Sequence, residues 1–440
     1  MRTILNFDIQ DFNSFAENLI SYIQRFNYGI LLRGTDLLNV SGTNIESRYD
    51  LLAGLGSISV CNPNNTRFEN LSEYLNLNDW SFGYFSYDLK NELEELKSNN
   101  FDALGFPELF FFQPEIVFTV KSNVLSIYYL ESFTSKDRID ELLQELMDCS
   151  NHTRTIPRNI IFKSRYTKQE YLDTIRQVKK HIARGDIYEM NLCQEFYTEG
   201  CSIEPSEVFN ELYRVSPTPF AAFLKVDNKY LMSASPERYI RKEGDLIISQ
   251  PIKGTAPRKN NAVDDEKVKL ELSNDIKERA ENVMIVDLVR NDLSKVATRG
   301  SVKVNELYGI YTFPQVHQMI STVTCKLKPN IGSIEPIKAT FPMGSMTGAP
   351  KVRAMQLIEE FERTKRGLFS GAVGYFAPND DFDFNVVIRS LLYNKENRYL
   401  SFTVGGAITF NSEPEKEYNE CLLKAKAILT TLNATIENAE

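Results

Sequence analysis

Glu237 and Lys253 are the pair in this 440-residue chain whose types and spacing suggest chemistry. Two strand-like runs, Tyr230 to Arg241 and Leu246 to Lys253, flank the turn Glu243-Gly244-Asp245. A turn centred on Gly244-Asp245 pairs antiparallel positions that sum to about 489. Glu237 and Lys253 then lie nearly opposite, within reach of long side chains. A Lys amine beside a carboxyl group can act as nucleophile and general acid. The same spacing also describes a cross-strand salt bridge, and Pro236 and Pro251 interrupt the ladder there.

Four carboxylates form a second constellation. Asp275-x-x-Glu278 opens a helix through Ile285 and Leu288, which places Glu278 and Glu281 on one face. Glu417 and Glu420 repeat the spacing on a helix through Leu423 and Ala427. Two such helices could meet at one hard cation such as Mg²⁺, which takes oxygen ligands. Solvated faces are the other reading, with Glu420 paired to Lys424 and Glu278 serving as a cap.

A Gly-rich segment, Gly344 to Lys351 (GSMTGAPK), leads into a helix with Val352, Met355, Ile358 and Phe361 at helical spacing. Its glycines are too close together for a P-loop. Its free N–H groups could bind an anion, or the segment could be a structural turn. Further on, Arg389 is a lone cation inside NVVIRSLLY, between the small-residue stretches Gly371–Tyr375 and Val404–Ala407. It needs a carboxylate, either from a substrate or from within the chain. Of three histidines, His152 lies in a polar segment, His181 follows two lysines and His317 sits among apolar residues. No hydrolase motif appears.

Strands and helices must position these groups, and they mix without regular β-α-β alternation. Trp80 to Leu89 and Leu109 to Tyr129 read as strands, and Lys136 to Met147 as an amphipathic helix. Thr167 and Glu170 form a capping box for a helix ending at Gly185. The polar stretch CSNHTRTIPRN reads as the linker between an N-terminal region, 1–150, and a second region, 155–435. The expected class is α+β with large, mostly antiparallel sheets.

Composition narrows the function. Fifty basic residues against 59 acidic give a net charge of −9, which disfavours nucleic acid as a partner. Any anionic substrate must be held by local donors or a metal. There is no signal layout and no long uncharged apolar run. The six cysteines are scattered without metal-ligand spacing. The expectation is a soluble, reduced, cytoplasmic protein with no membrane association.

Taken together, the blocks GDIYEMNLCQEF, SASPERY, QPIKGTAPR, KERAENVMIVDLVRNDL, GSMTGAPKVRAMQLIEEFE, GAVGYF, DFNVVIRS and EYNECLLKAKAIL resemble the chorismate-utilising enzymes. That family includes the large subunits of anthranilate synthase and aminodeoxychorismate synthase. The N-terminal region matches more loosely, through YGILLRG, RYDLLAG and FGYFSYDL. The resemblance implies a two-lobed fold, with sheets sandwiched between outer helices and both regions interleaved in one unit. It implies Mg²⁺ as cofactor, with Glu281 and Glu420 as direct ligands and Glu278 and Glu417 acting through water. It implies that Tyr375, Arg389 and the Gly405-Gly406-Ala407 backbone hold the carboxylates of chorismate. Ser345 stands where the family often has Thr, and Ala407 where it often has Gly. His317 resembles the family's active-site histidine.

Within the family, PIKGT is similar to the aminodeoxychorismate synthase branch, whereas anthranilate synthases resemble PIAGT. This implies Lys253 as nucleophile and Glu237 as the acid for the departing hydroxyl. Nothing in the chain resembles a Cys-His-Glu glutaminase, so the resemblance implies a separate glutamine amidotransferase partner. The tryptophan-feedback motif of anthranilate synthases resembles LLES, and this chain reads Leu31-Leu32-Arg33-Gly34. Alternatives are anthranilate synthesis, isochorismate or salicylate synthesis, and a non-catalytic binding subunit.

Overall fold

The computed structural model describes residues 2–34, 47–147 and 159–437. The linker proposed at CSNHTRTIPRN, with His152, lies almost wholly outside the described residues. Two large sheets dominate. In the larger, of 13 strands, Tyr28–Arg33 from the N-terminal region pairs with Phe220–Val226 from the second. In the smaller, of 10 strands, Ser81–Phe85 pairs with Ala372–Phe376 in the same cross-region manner. Every strand pair described is antiparallel except Thr435–Ile436 with Ile161–Ser164. The expected α+β class with antiparallel sheets is what the chain forms.

Phe82, Phe111 and Phe384 of the smaller sheet share one apolar core with Ile30, Leu52 and Leu224 of the larger. The two sheets therefore pack face to face. A second core includes Phe15, Leu142, Leu212 and Ile428 on helices Phe12–Ile23, Lys136–Met147, Pro205–Val215 and Pro414–Leu432. Helix Ile276–Ser294 packs on strands Ile252–Pro257 and Val316–Lys326. These two helix layers bring the carboxylate-bearing helices toward the sheets from different sides.

The turn at Gly244-Asp245 has the expected register: Lys242 pairs with Ile247 and Arg241 with Ile248, both summing to 489. The longer runs do not survive as single strands. Lys229–Ser235 belongs to the larger sheet and Arg238–Glu243 to the smaller, so the chain changes sheets at Pro236. Pro251 ends Leu246–Gln250, which pairs with both Arg238–Glu243 and Val316–Lys326, and Ile252–Pro257 continues along Val316–Lys326 without the former partner. Proline donates no ladder hydrogen bond, so each one interrupts the pairing with the strand beside it. Glu237 and Lys253 are therefore not hairpin partners.

Candidate functional site: a buried lysine among carboxylates

The crossover at Pro236 leaves Glu237 between the sheets, only 4% exposed. The Ser345 hydroxyl and the Ile252 N–H donate to its carboxyl. Burial outweighs these donors and the nearby Lys253 charge, and pushes the carboxyl up to about 7. A carboxyl poised there is half protonated at neutral pH, as a general acid should be. Ser345 is itself fixed, because the Asn191 side chain donates to its carbonyl at 2.6 Å.

Lys253 is 9% exposed. Burial would pull its ammonium down, but Glu189, Glu281, Glu237 and Glu420 together outweigh it and hold the charge on. Its nearest partner is Glu189, with Nζ 3.7 Å from Oε1. Glu189 was not among the residues singled out by sequence. It begins the strand Glu189–Thr198 and is wholly buried, and neither carboxylate oxygen has a hydrogen-bond partner among the described residues. The available signal was a lone acid in the otherwise β-like IYEMNL. The next residue after the lysine, Gly254, has φ +94, a conformation that suits only glycine. A Cβ there would stand 3.2 Å from Glu278 Oε2.

The two acidic helices do converge. Asp275 caps Ile276–Ser294 by accepting from the Glu278 N–H, and the Glu278 carboxylate turns instead toward Gly254. Burial raises Glu278, and Glu420 raises it further. Glu281 is likewise raised by burial, to about 7, against the pull of Lys253 and Lys277. From the C-terminal helix, Glu417 and Glu420 lie beside the open face of Gly406. The expected i, i+4 pair of Glu420 with Lys424 forms at 2.8 Å.

Lys277 bridges the helices, 3.2 Å from Glu417 and 3.7 Å from Glu281. Among the described residues, no three acids or histidines converge closely enough to hold a metal as they stand. The donor chemistry nevertheless fits a hard divalent cation. All four groups are carboxylates, and Glu281 Oε1 is buried without a hydrogen-bond partner.

Arg389 sits at φ +53, just before strand Ser390–Asn394. Its guanidinium makes no ion pair or hydrogen bond among the described residues, and Glu420 is the charge that acts on it. Burial therefore pulls its ionisation down. Among the described residues the internal partner allowed by sequence is absent, which leaves the guanidinium unpaired there, with Glu420 as the acid that acts on it. Gly405, Gly406 and Ala407 pair with Cys193, Leu192 and Asn191, and Lys424 donates to the Gly405 carbonyl at 2.8 Å.

The loop at Gly344 packs against the strand that begins at Glu189. Gly348 and Ala349 pair with Met190 and Glu189, and a Cβ on Gly348 would fall 2.2 Å from the Glu189 carbonyl. Glycine there lets Ser345 sit against the Glu189 strand. Lys351 donates to Asp292 and to the Thr340 and Pro342 carbonyls rather than facing solvent.

Two expected site residues stand apart. Both His317 ring nitrogens are engaged at 3.0 Å, with Thr312 and with Asp265. His317 lies on Val316–Lys326, across from Ala256, without a described contact to Glu237 or Lys253. Tyr375 packs against Tyr49, Trp80 and Phe82. Side-chain alternation along Ala372–Phe376 turns it into a different pocket, lined also by Arg33, Phe220, Asp383 and Asn385.

Comparison with known proteins places the chain in a family. The chorismate binding enzyme family matches residues 47–430. Aminodeoxychorismate synthase component 1 of Bacillus subtilis is 31% identical over 84% of this chain and 80% of its own. An anthranilate synthase component I-like protein of Synechocystis is 32% identical over 87% and 79%. The crystal structure of anthranilate synthase component I from Streptococcus pneumoniae superposes with a TM-score of 0.74, at 23% identity over 97% of this chain and 92% of that one. An unpaired arginine, a buried lysine and paired carboxylates thus sit on a shared fold, and the chain belongs to the chorismate-binding enzymes.

Proposed function

We propose that the chain converts chorismate and ammonia to 4-amino-4-deoxychorismate, as an aminodeoxychorismate synthase component. The observation that carries this reading is Lys253, a buried amine placed beside a carboxyl group poised near pH 7. Direct attack of ammonia at ring C2 gives anthranilate chemistry and needs no lysine. Placing nitrogen at C4 with retention needs two displacements. Lys253 adds at C2 while the C4 hydroxyl leaves, protonated by Glu237. Ammonia then adds at C4 and expels the lysine from C2.

Arg389 binds a substrate carboxylate, and the backbone around Gly405 to Ala407 lines the same site. His317, bonded to Asp265, ties helix Ala262–Asn274 to strand Val316–Lys326, which pairs with the strand bearing Lys253. Glu281 and Glu420, supported by Glu278 and Glu417, would hold Mg²⁺, whose charge neutralises the substrate's ring carboxylate. A glutamine amidotransferase subunit supplies ammonia in this reading, and the protein works in the cytoplasm. Mass spectrometry of products from chorismate, Mg²⁺ and ammonium chloride tests the assignment. An amino-for-hydroxyl product that keeps its enolpyruvyl group supports it. Anthranilate with released pyruvate would select the second reading, which the Synechocystis relative's name favours.

A further inference from the structure

We propose that Glu189 positions Lys253 and takes the proton that its amine must lose before it can attack. The inference rests on the reading of Lys253 as nucleophile and deepens it. Glu189 is wholly buried, and neither oxygen finds a hydrogen bond among the described residues. A buried carboxylate without donors is costly to keep. Its one ionic contact among the described residues is the Lys253 ammonium, 3.7 Å from Oε1. Its backbone is fixed on both sides, by Ala349 across one ladder and by the strand Tyr399–Ile408 beyond Met190.

The chemistry requires such a group. Lys253 enters the reaction as an ammonium, because the buried Glu189 carboxylate stands 3.7 Å from it. Glu237 cannot accept the proton, since it must donate one to the departing hydroxyl. In the first displacement Glu189 takes a proton from Nζ, the Nζ–C2 bond forms and both ring double bonds shift. The C4–O bond breaks, and the hydroxyl leaves as water with the Glu237 proton. In the second, the ammonia nitrogen bonds to C4, the double bonds shift back and the C2–Nζ bond breaks, its electron pair returning to the amine. Glu189 returns its proton to Lys253, and Glu237 takes one from the new C4 ammonium. Both carboxyl groups end as they began.

The test is adduct formation followed by intact-protein mass spectrometry, with the full chain, chorismate and Mg²⁺ but no ammonium. Wild type should gain the mass of chorismate less water, located at Lys253. Glu189→Gln should form this adduct at least roughly 10²-fold more slowly, with chorismate binding little changed. Glu189→Asp should recover part of the rate. A packing role predicts the reverse order, because Gln preserves the shape and Asp leaves a gap. An equal adduct rate in wild type and Glu189→Gln would overturn the inference and leave the reading of Lys253 standing. Absence of any adduct in wild type, with activity retained by Lys253→Ala, would overturn that reading instead. If Glu189→Gln fails to fold, the Asp variant decides: a rate below one-hundredth of wild type in a folded protein sides with packing, and partial recovery sides with proton transfer.

Discussion

The Lys277 ammonium lies 3.2 Å from Glu417 and so ties helix Ile276–Ser294 to helix Pro414–Leu432 across the candidate site. It also stands 3.7 Å from Glu281. The two acidic helices thus come together around a cation that the chain itself provides. Lys277→Met should leave Glu417 without its counter-charge and Glu281 with Lys253 alone, and lower stability by about 1 kcal/mol, a figure reduced for the lysine's partial exposure. Millimolar Mg²⁺ should recover that loss, and should raise the melting temperature of the variant more than that of wild type. Equal shifts in both proteins would separate Lys277 from cation binding.

The Arg389 guanidinium has no ion pair or hydrogen bond among the described residues and burial disfavours its charge, so removing it breaks no polar side-chain contact there. Arg389→Ala should melt at or above the wild-type temperature while the KM for chorismate rises roughly 10²-fold, the worth of a bidentate carboxylate pair. Arg389→Lys should recover little, because a point charge lacks the planar fork. A fall in melting temperature with an unchanged KM would show a structural arginine.

Glu237 ionises at about 7 in the folded protein, above its ordinary 4.5. Between those values the folded state holds more protons than the unfolded one, so stability falls as pH rises from about 4.5 to about 7. The full loss is about 3 kcal/mol. Glu237→Gln should flatten that part of the stability profile. The acid that protonates the leaving hydroxyl is also depleted above about 7, so turnover at fixed free ammonia should decline there. A stability profile that is the same in Glu237→Gln and wild type would contradict the placement of this group.

Much of this arrangement was legible in the sequence where signals are local. The capping box at Thr167 and Glu170 forms as read. Helix Lys136–Met147 buries the expected Ile139, Leu142, Leu143 and Leu146. The Gly244-Asp245 turn fixes the register of its hairpin. What spacing could not provide was long-range placement. Pro236 and Pro251 signal an interruption, but not that the first sends the chain to the other sheet while the second ends the pairing with Arg238–Glu243. Glu189 reads as one acid in a strand until the fold sets it against Lys253, 64 positions later in sequence. Tyr375 is buried as a strand aromatic should be, and only the sheet's orientation shows that it faces Tyr49 and Trp80. His317 could be placed in a core by its neighbours, whereas its bond to Asp265 depends on helix Ala262–Asn274.

The chain contains three histidines, and neither described one lies beside a cysteine in a nucleophilic pair. His181 is held by Asp186 at 2.7 Å instead. Purified chain should therefore use ammonium and fail with glutamine as sole nitrogen donor. Adding a glutamine amidotransferase subunit should restore glutamine-dependent turnover. Equal rates with glutamine and ammonium in the pure chain would contradict a separate ammonia source.

The central claim is that Lys253 is the residue that moves nitrogen to C4. Lys253→Ala should be assayed beside wild type with chorismate, Mg²⁺ and ammonium chloride, and the products identified by mass spectrometry. The account predicts a loss of 4-amino-4-deoxychorismate of roughly 10³-fold or more, since the covalent route disappears, with chorismate still bound. Undiminished formation of that product by Lys253→Ala would contradict it.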